Sequence, residues 1–211
     1  MPIVMDGTDS IGDLGDALAA KAAYPAGGVD GNALVKSGTT TAWGSAGALV
    51  LVGKGTAAAS SAVSINGCFT ATYDNYLVVV DATSASTSLL LRLRMRAAGT
   101  DNSSANYGYA FSKQTFATGI LVGYSSDPAG IDQGLLELSS GQGGALSIVV
   151  YSPALTVKTS FTFESVNDVN VYSGGGQMTV TTAYDGITIY TSAGTFTTPT
   201  NGIRVYGYQN A

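Results

Sequence analysis

The chain of 211 residues contains no histidine, one cysteine and few charges. Without histidine it lacks the usual general base, the usual zinc ligand and the usual switch near neutral pH. A single cysteine, Cys68, excludes an internal disulfide framework. Charged residues make up 11% of the chain, against about 25% in an ordinary soluble domain. Gly, Ser, Thr and Ala fill the gap. So sparse a charge suits a surface covered by copies of itself, or a robust extracellular object. Net charge is −5, and the one basic cluster is Arg92, Arg94 and Arg96, so no nucleic-acid footprint is present. No run approaches the ~18 apolar residues of a membrane span, and no membrane insertion is expected. "MPIVMDGTDSIGDLGD" has neither a basic start nor a long apolar run and does not read as a secretion signal.

What is present falls into two parts. Residues 1–45 read as an attachment segment, a short helix followed by an extended linker. In "DSIGDLGDALAAKAAYP" Ile11, Leu14 and Leu18 recur at helical spacing. Ser10 with Asp13 resembles a capping box, and Pro25 ends the helix. Gly12 and Gly15 cost roughly 1 kcal/mol each relative to Ala, so the helix needs a partner surface. Ile11, Leu14 and Leu18 are therefore candidates for a seam between chains or a docking site. The Gly/Thr/Ser-rich connector behind it carries the lone Trp43, expected as a packing anchor. Asp6–Asp13 lacks the order of acids and the terminal Glu of a calcium loop and reads as helix cap.

Residues 46–211 are strands and turns, rich in β-branched and aromatic residues with turn signals every 8–12 residues. The expected fold is all-β: an antiparallel β-sandwich, jelly-roll-like. Helical patterns do not alternate with the strands, which argues against a parallel α/β fold. Expected strands include "NYLVVVDA", "SLLLRLRMRAAG", "VKTSFTFES", "VNVYSGGG", "QMTVTTA" and "NGIRVYGY". Ser173–Gly176 reads as the hairpin turn between two of them, since no helix follows to hold a phosphate.

The segment "LLLRLRMR" has period two: Leu89, Leu91, Leu93 and Met95 on the core face, Arg92, Arg94 and Arg96 on the other. The three arginines form either a patch for phosphate or an acidic glycan, or a face paired with acids such as Asp74, Asp81 or Asp101 and with tyrosine rings. Catalysis finds little footing. No Ser-x-x-Lys or Gly-x-Ser-x-Gly stands in the required setting, and Cys68 has no basic neighbour in sequence. A glycosidase pair of carboxylates stays open, since its members can lie far apart in sequence; the two glutamates, Glu137 and Glu164, are both inside expected strands. No cofactor or metal is expected, and the chain is not read as an enzyme. "CFTATYDNYLVVVDA" could hold a sugar or a calcium ion, but reads better as a turn at Asp74-Asn75 leading into a buried strand, with Cys68 and Phe69 in the core.

The stretch Phe69–Met95, "FTATYDNYLVVVDATSASTSLLLRLRM", resembles a module of tailed-bacteriophage structural proteins, of the tail-fibre and virion-protein kind. Its marks are the Tyr-Asp-Asn-Tyr start, a valine strand and a Leu/Arg strand. Thr182–Asn210 is similar to the closing part of the same module, and Leu34–Gly44 to fibre linkers. The resemblance implies a virion protein, assembled in the host cytoplasm as a homo-oligomer, commonly a trimer. Its partners would be itself and another protein at the head, neck or tail. Two further roles stay open: a receptor module gripping a host-surface glycan through loops 98–106 and 125–133, or a capsid decoration. The resemblance brings no catalytic residues.

Overall fold

The structure, a computed structural model, describes residues 32–37, 40–45, 49–117, 119–126 and 128–209. The chain divides into two compact units, Met1–Ala48 and Leu49–Ala211. The expected helix with Ile11, Leu14 and Leu18, and the segment Asp6–Asp13, lie outside the described residues. In the first unit the connector contains two antiparallel strands, β1 (Asn32–Ser37) and β2 (Thr40–Ser45), with Leu34 opposite Trp43.

The second unit is all-β, and no helix occurs among the described residues. Its strands are β3 (Leu49–Gly55), β4 (Ala62–Ile65), β5 (Asn75–Ala82), β6 (Ser84–Ala85), β7 (Leu89–Ala97), β8 (Thr100–Asp101), β9 (Tyr107–Thr115), β10 (Gly119–Ser126), β11 (Ile131–Leu138), β12 (Gly144–Tyr151), β13 (Ser160–Asn167), β14 (Asn170–Met178), β15 (Gly186–Thr191), β16 (Phe196–Thr197) and β17 (Ile203–Tyr208). They form an eight-stranded sheet, β10-β9-β14-β13-β12-β5-β17-β3, a five-stranded one, β11-β7-β15-β4 with β8 beside β7, and a two-stranded one, β16-β6. Every pair is antiparallel. The two larger sheets face each other across one core and so make a two-layer, sandwich-like body.

Alternation decides which side chains enter that core. From the large sheet come Tyr76, Val78 and Val80 of β5, Leu146, Ile148 and Val150 of β12, and Phe161 and Phe163 of β13. From the small sheet come Leu89, Leu91, Leu93 and Met95 of β7 with Ile187 and Ile189 of β15. Cys68 and Phe69 are buried, as expected. Tyr76 fastens the segment before β5. Its hydroxyl accepts from Thr70 N and donates to Thr70 O, both at 2.7 Å, and its ring meets Phe69 edge-on at 4.7 Å. Asp74 sits in the bend ahead of β5, and its carbonyl accepts from Ser152 N at 2.7 Å.

One expectation needs correction. Ser173–Gly176 is not a turn but the middle of β14, and "QMTVTTA" is not a separate strand. The glycines there answer to packing. A Cβ on Gly174 would meet the Phe163 ring and come within 2.6 Å of Ala110 O, and one on Gly176 would strike Gly108 O. The pattern repeats two strands further out, where Phe111 covers Gly123 at 2.5 Å from the missing Cβ. Rings over cross-strand glycines let the sheet keep its inner surface where no second side chain fits.

Candidate functional site

The arginine strand lies on the outer side of the small sheet, as its alternation requires. Each guanidinium is fastened to its surroundings. The side chain of Arg96 is 11% exposed. It pairs with Asp101 and donates to Thr188 Oγ1 at 2.7 Å, Ser64 Oγ at 3.0 Å, Asn66 Oδ1 at 2.7 Å and the carbonyl of Gly99. Arg94 Nε donates to Ala129 O at 2.9 Å, while its guanidinium lies 4.5 Å from the centre of the Tyr190 ring. Arg92 Nε donates to Asp132 O at 3.0 Å. The row thus ties loops 98–106 and 125–133 to one sheet face, bringing together the candidates that the sequence suggested separately. Of the three acids expected as partners only Asp101 meets the row. Asp81 belongs to β5, in the other sheet, and projects from its outer face. Asp74 lies in the bend before that strand.

A second layer of contacts lies beneath the loops. Tyr107 is fully buried, and its hydroxyl accepts from Met95 N at 2.9 Å and donates to Asn102 O at 3.0 Å. Asn102 Nδ2 donates to the Tyr184 hydroxyl at 2.8 Å, and Asn102 Oδ1 accepts from Ser104 N at 3.1 Å. Tyr109 accepts from Asp132 N and Gln133 N, at 3.2 and 2.9 Å, and donates to the Asp132 carboxylate. Burial pushes the phenols of Tyr107, Tyr109 and Tyr184 above their ordinary pKa, and for Tyr109 the neighbouring carboxylate adds to the rise. These tyrosines went unmarked in the sequence. Their signal was the period-two pair in "NYGYAF", which turns both rings to the core. Along the same sheet Lys113 Nζ donates to Glu137 Oε2 at 2.5 Å and Tyr172 OH to the same oxygen at 2.9 Å. The lysine, with the tyrosine's help, holds the Glu137 carboxyl below the usual range.

The two glutamates considered for catalysis do not face each other. Glu137 meets Tyr172 on the inner side of the large sheet, and Glu164 alternates with buried Phe163 and Ser165 and so points outward. Cys68 is fully enclosed. Its Sγ donates to Ile65 O at 3.7 Å, and burial pushes the thiol pKa up to about 12, which leaves no thiolate for chemistry near neutral pH. Among the described residues no group of three or more His, Cys, Asp or Glu could hold a metal ion.

The widest feature is the outer face of the large sheet. Ladder register aligns one residue per strand, so Tyr124, Ala110, Gly175, Thr162 and Val149 form a row across five strands, and Val122, Ser112, Ser173, Glu164 and Ser147 the next. Apart from Glu164, the centre is a floor of small or apolar uncharged side chains. Its flank at β10 rises in Ile120, Val122 and Tyr124, all exposed. Charges on this face are Lys54, Asp81, Glu164 and Arg204; Lys54 is opposite Arg204, Asp81 is the diagonal neighbour of Arg204, and Glu164 stands apart, three strands from Arg204. Such a surface can bury itself against another protein surface with little desolvation of charge. Trp43 is placed in β2 opposite Leu34, in the first unit. The chain matches no protein-family model, no curated protein and no solved structure.

Proposed function

We propose that the chain is a structural component of a phage virion, an oligomeric fibre- or spike-like appendage joined to the particle through residues 1–45. The observation that carries this reading is the broad, charge-poor outer face of the large sheet, which suits burial in an assembly of copies. The finer topology we propose is a jelly roll. In its support, β3-β17-β5-β12 lies against β4-β15-β7-β11, the arrangement that two Greek keys produce in double-sheet jelly rolls. On this reading hairpins β9–β10 and β13–β14 are additions that widen one sheet. The resemblance of Phe69–Met95 and Thr182–Asn210 to phage structural proteins adds the virion setting, assembly in the host cytoplasm and a trimer as the expected homo-oligomer. Ile11, Leu14, Leu18 and Trp43 would form the seam or the docking contact. The reading assigns no catalysis, cofactor or membrane insertion. Its test is deletion of residues 1–45. The remaining β body should fold and stay out of assembled particles, and incorporation at wild-type level would overturn the attachment role.

A second reading has its own support. Loops 98–106 and 125–133 are both pinned by the arginine row, which gives the preorganised polar rim that a host-surface glycan site needs. Binding of the isolated protein to host cells, competed by sugar, would favour this receptor role. Binding confined to the capsid shell would instead favour a decoration protein.

A further inference from the structure

Among the described residues β10 is the last strand of the large sheet, and no described strand pairs with the outer side of its backbone. Edge strands in natural proteins are short, charged, interrupted by proline or covered. β10, "GILVGYSS", runs eight residues with no charge and no proline. It is apolar on both faces. Ile120 (71% exposed), Val122 (75%) and Tyr124 (84%) project outward, Leu121 (62%) inward, and Phe116 (63%) stands at the hairpin tip. Unprotected, such a strand is an association site.

We infer that β10 pairs antiparallel with β10 of a second copy, about a two-fold axis through Val122. Three observations select a second copy. The strand carries no charge, so an identical strand meets no repulsion and no opposite charge is called for. Its apolar run is symmetric about Val122. Centred there, antiparallel pairing sets Ile120 against Tyr124 of the other copy on one face and Leu121 against Gly123 on the other. Side chain then faces side chain where both are large, and leucine faces glycine where Phe111 already fills the space. Finally, Ile120, Leu121, Val122 and Tyr124 form one continuous exposed apolar stretch along the strand, and Phe116 extends it at the hairpin tip, so the patch that a second copy would cover runs along the edge itself. The contact is isologous and closes at two copies. It cannot close a trimer, so it doubles whatever assembly the rest of the chain forms, and it is independent of the virion assignment.

The test uses the full chain. Val122→Lys places two ammonium groups face to face at the axis, on a side chain exposed enough to leave the fold intact. Sedimentation equilibrium should give half the mass of the wild type, with an unchanged circular dichroism spectrum. Val122→Cys supplies the second measurement. Cys68 is fully buried, so Cys at 122 is the reactive thiol. Directly opposed residues lie about 4.5–5.5 Å apart at Cα, within disulfide reach. Mild oxidation should join two chains through that position, whereas Ile120→Cys, opposite Tyr124, should not self-link. Equal masses for wild type and Val122→Lys would overturn the proposal. So would failure of Val122→Cys to link, or its linkage to any other position. A paired protein that never enters particles would sink the virion reading and leave this contact standing.

Discussion

The ring of Phe163 on β13 occupies the space above Gly174 on β14, directly across the ladder. Gly174 is hemmed in by backbone as well, with Ala110 O within 2.6 Å of where a Cβ would stand. A ring could rotate away, but the β9 backbone cannot do so cheaply. Gly174→Ala should therefore destabilise the fold by about 1–3 kcal/mol, as overpacking does. Chemical denaturation with an unchanged slope would check it.

Arg96 and Arg92 should respond differently to truncation although they share one strand. Arg96→Met takes the ion-pair partner from Asp101, leaving it only the Thr188 hydroxyl in a mostly enclosed site, and frees loop 98–106, at about 3 kcal/mol. Arg92→Ala removes one bond to a carbonyl and should cost under ~1.5 kcal/mol. Thermal melts of both variants check the order. A salt titration of any cell or glycan binding separates a ligand patch from a structural one. Binding that ignores salt would remove the anionic-ligand role.

Tyr109→Phe should cost about 1–3 kcal/mol, because it strips a donor from the Asp132 carboxylate and an acceptor from two N–H groups at once. The loss should appear as faster amide exchange at Asp132 and Gln133, with β5 and β12 unaffected.

Alkali should unfold the protein cooperatively. Burial raises the phenols of Tyr107, Tyr109, Tyr172, Tyr184 and Tyr190, and the Cys68 thiol to about 12. A group that holds its proton more tightly when folded contributes its full stability below the unfolded pKa. That contribution is lost as pH climbs from the unfolded value toward the folded one. Stability should thus fall above pH ~10. Tyrosinate absorbance from these five rings should appear together with loss of the β-sheet signal, after the exposed Tyr124 has ionised. Glu137 works in the opposite sense. Its lowered pKa favours the fold above the ordinary carboxylate range and ceases to as pH falls through the folded value. Its side chain is 43% exposed, so solvent screening keeps that contribution small.

Where period two is clean, the residues alone locate strands and faces. β5, β7, β13 and β17 stand where their valines, leucines, phenylalanines and arginines put them. The start of β14 was legible in "VNVYSGGG", but its run through to Met178 escaped because three glycines carry no alternation. They look like a turn until the rings above them are seen. Asp101 was findable as the arginine partner because β8 follows β7 in the chain by a tight turn. The exclusion of Asp81 was not, since local pattern says nothing about which sheet a strand joins. The loop-pinning role of the row was hidden for the same reason. Asp132 and Ala129 reach Arg92 and Arg94 only because β11 pairs with β7, with a break in register between Ile131 and Leu136 that turns both Leu135 and Leu136 inward.

The central claim is that this chain is a built-in part of a virion, and a cryo-electron-microscopy map of the intact particle tests it most directly. The account predicts density for the two-layer β body in several copies, projecting from the head, neck or tail, with residues 1–45 at the particle end. Purified particles from which the chain is absent, in the map and by mass spectrometry, would contradict it.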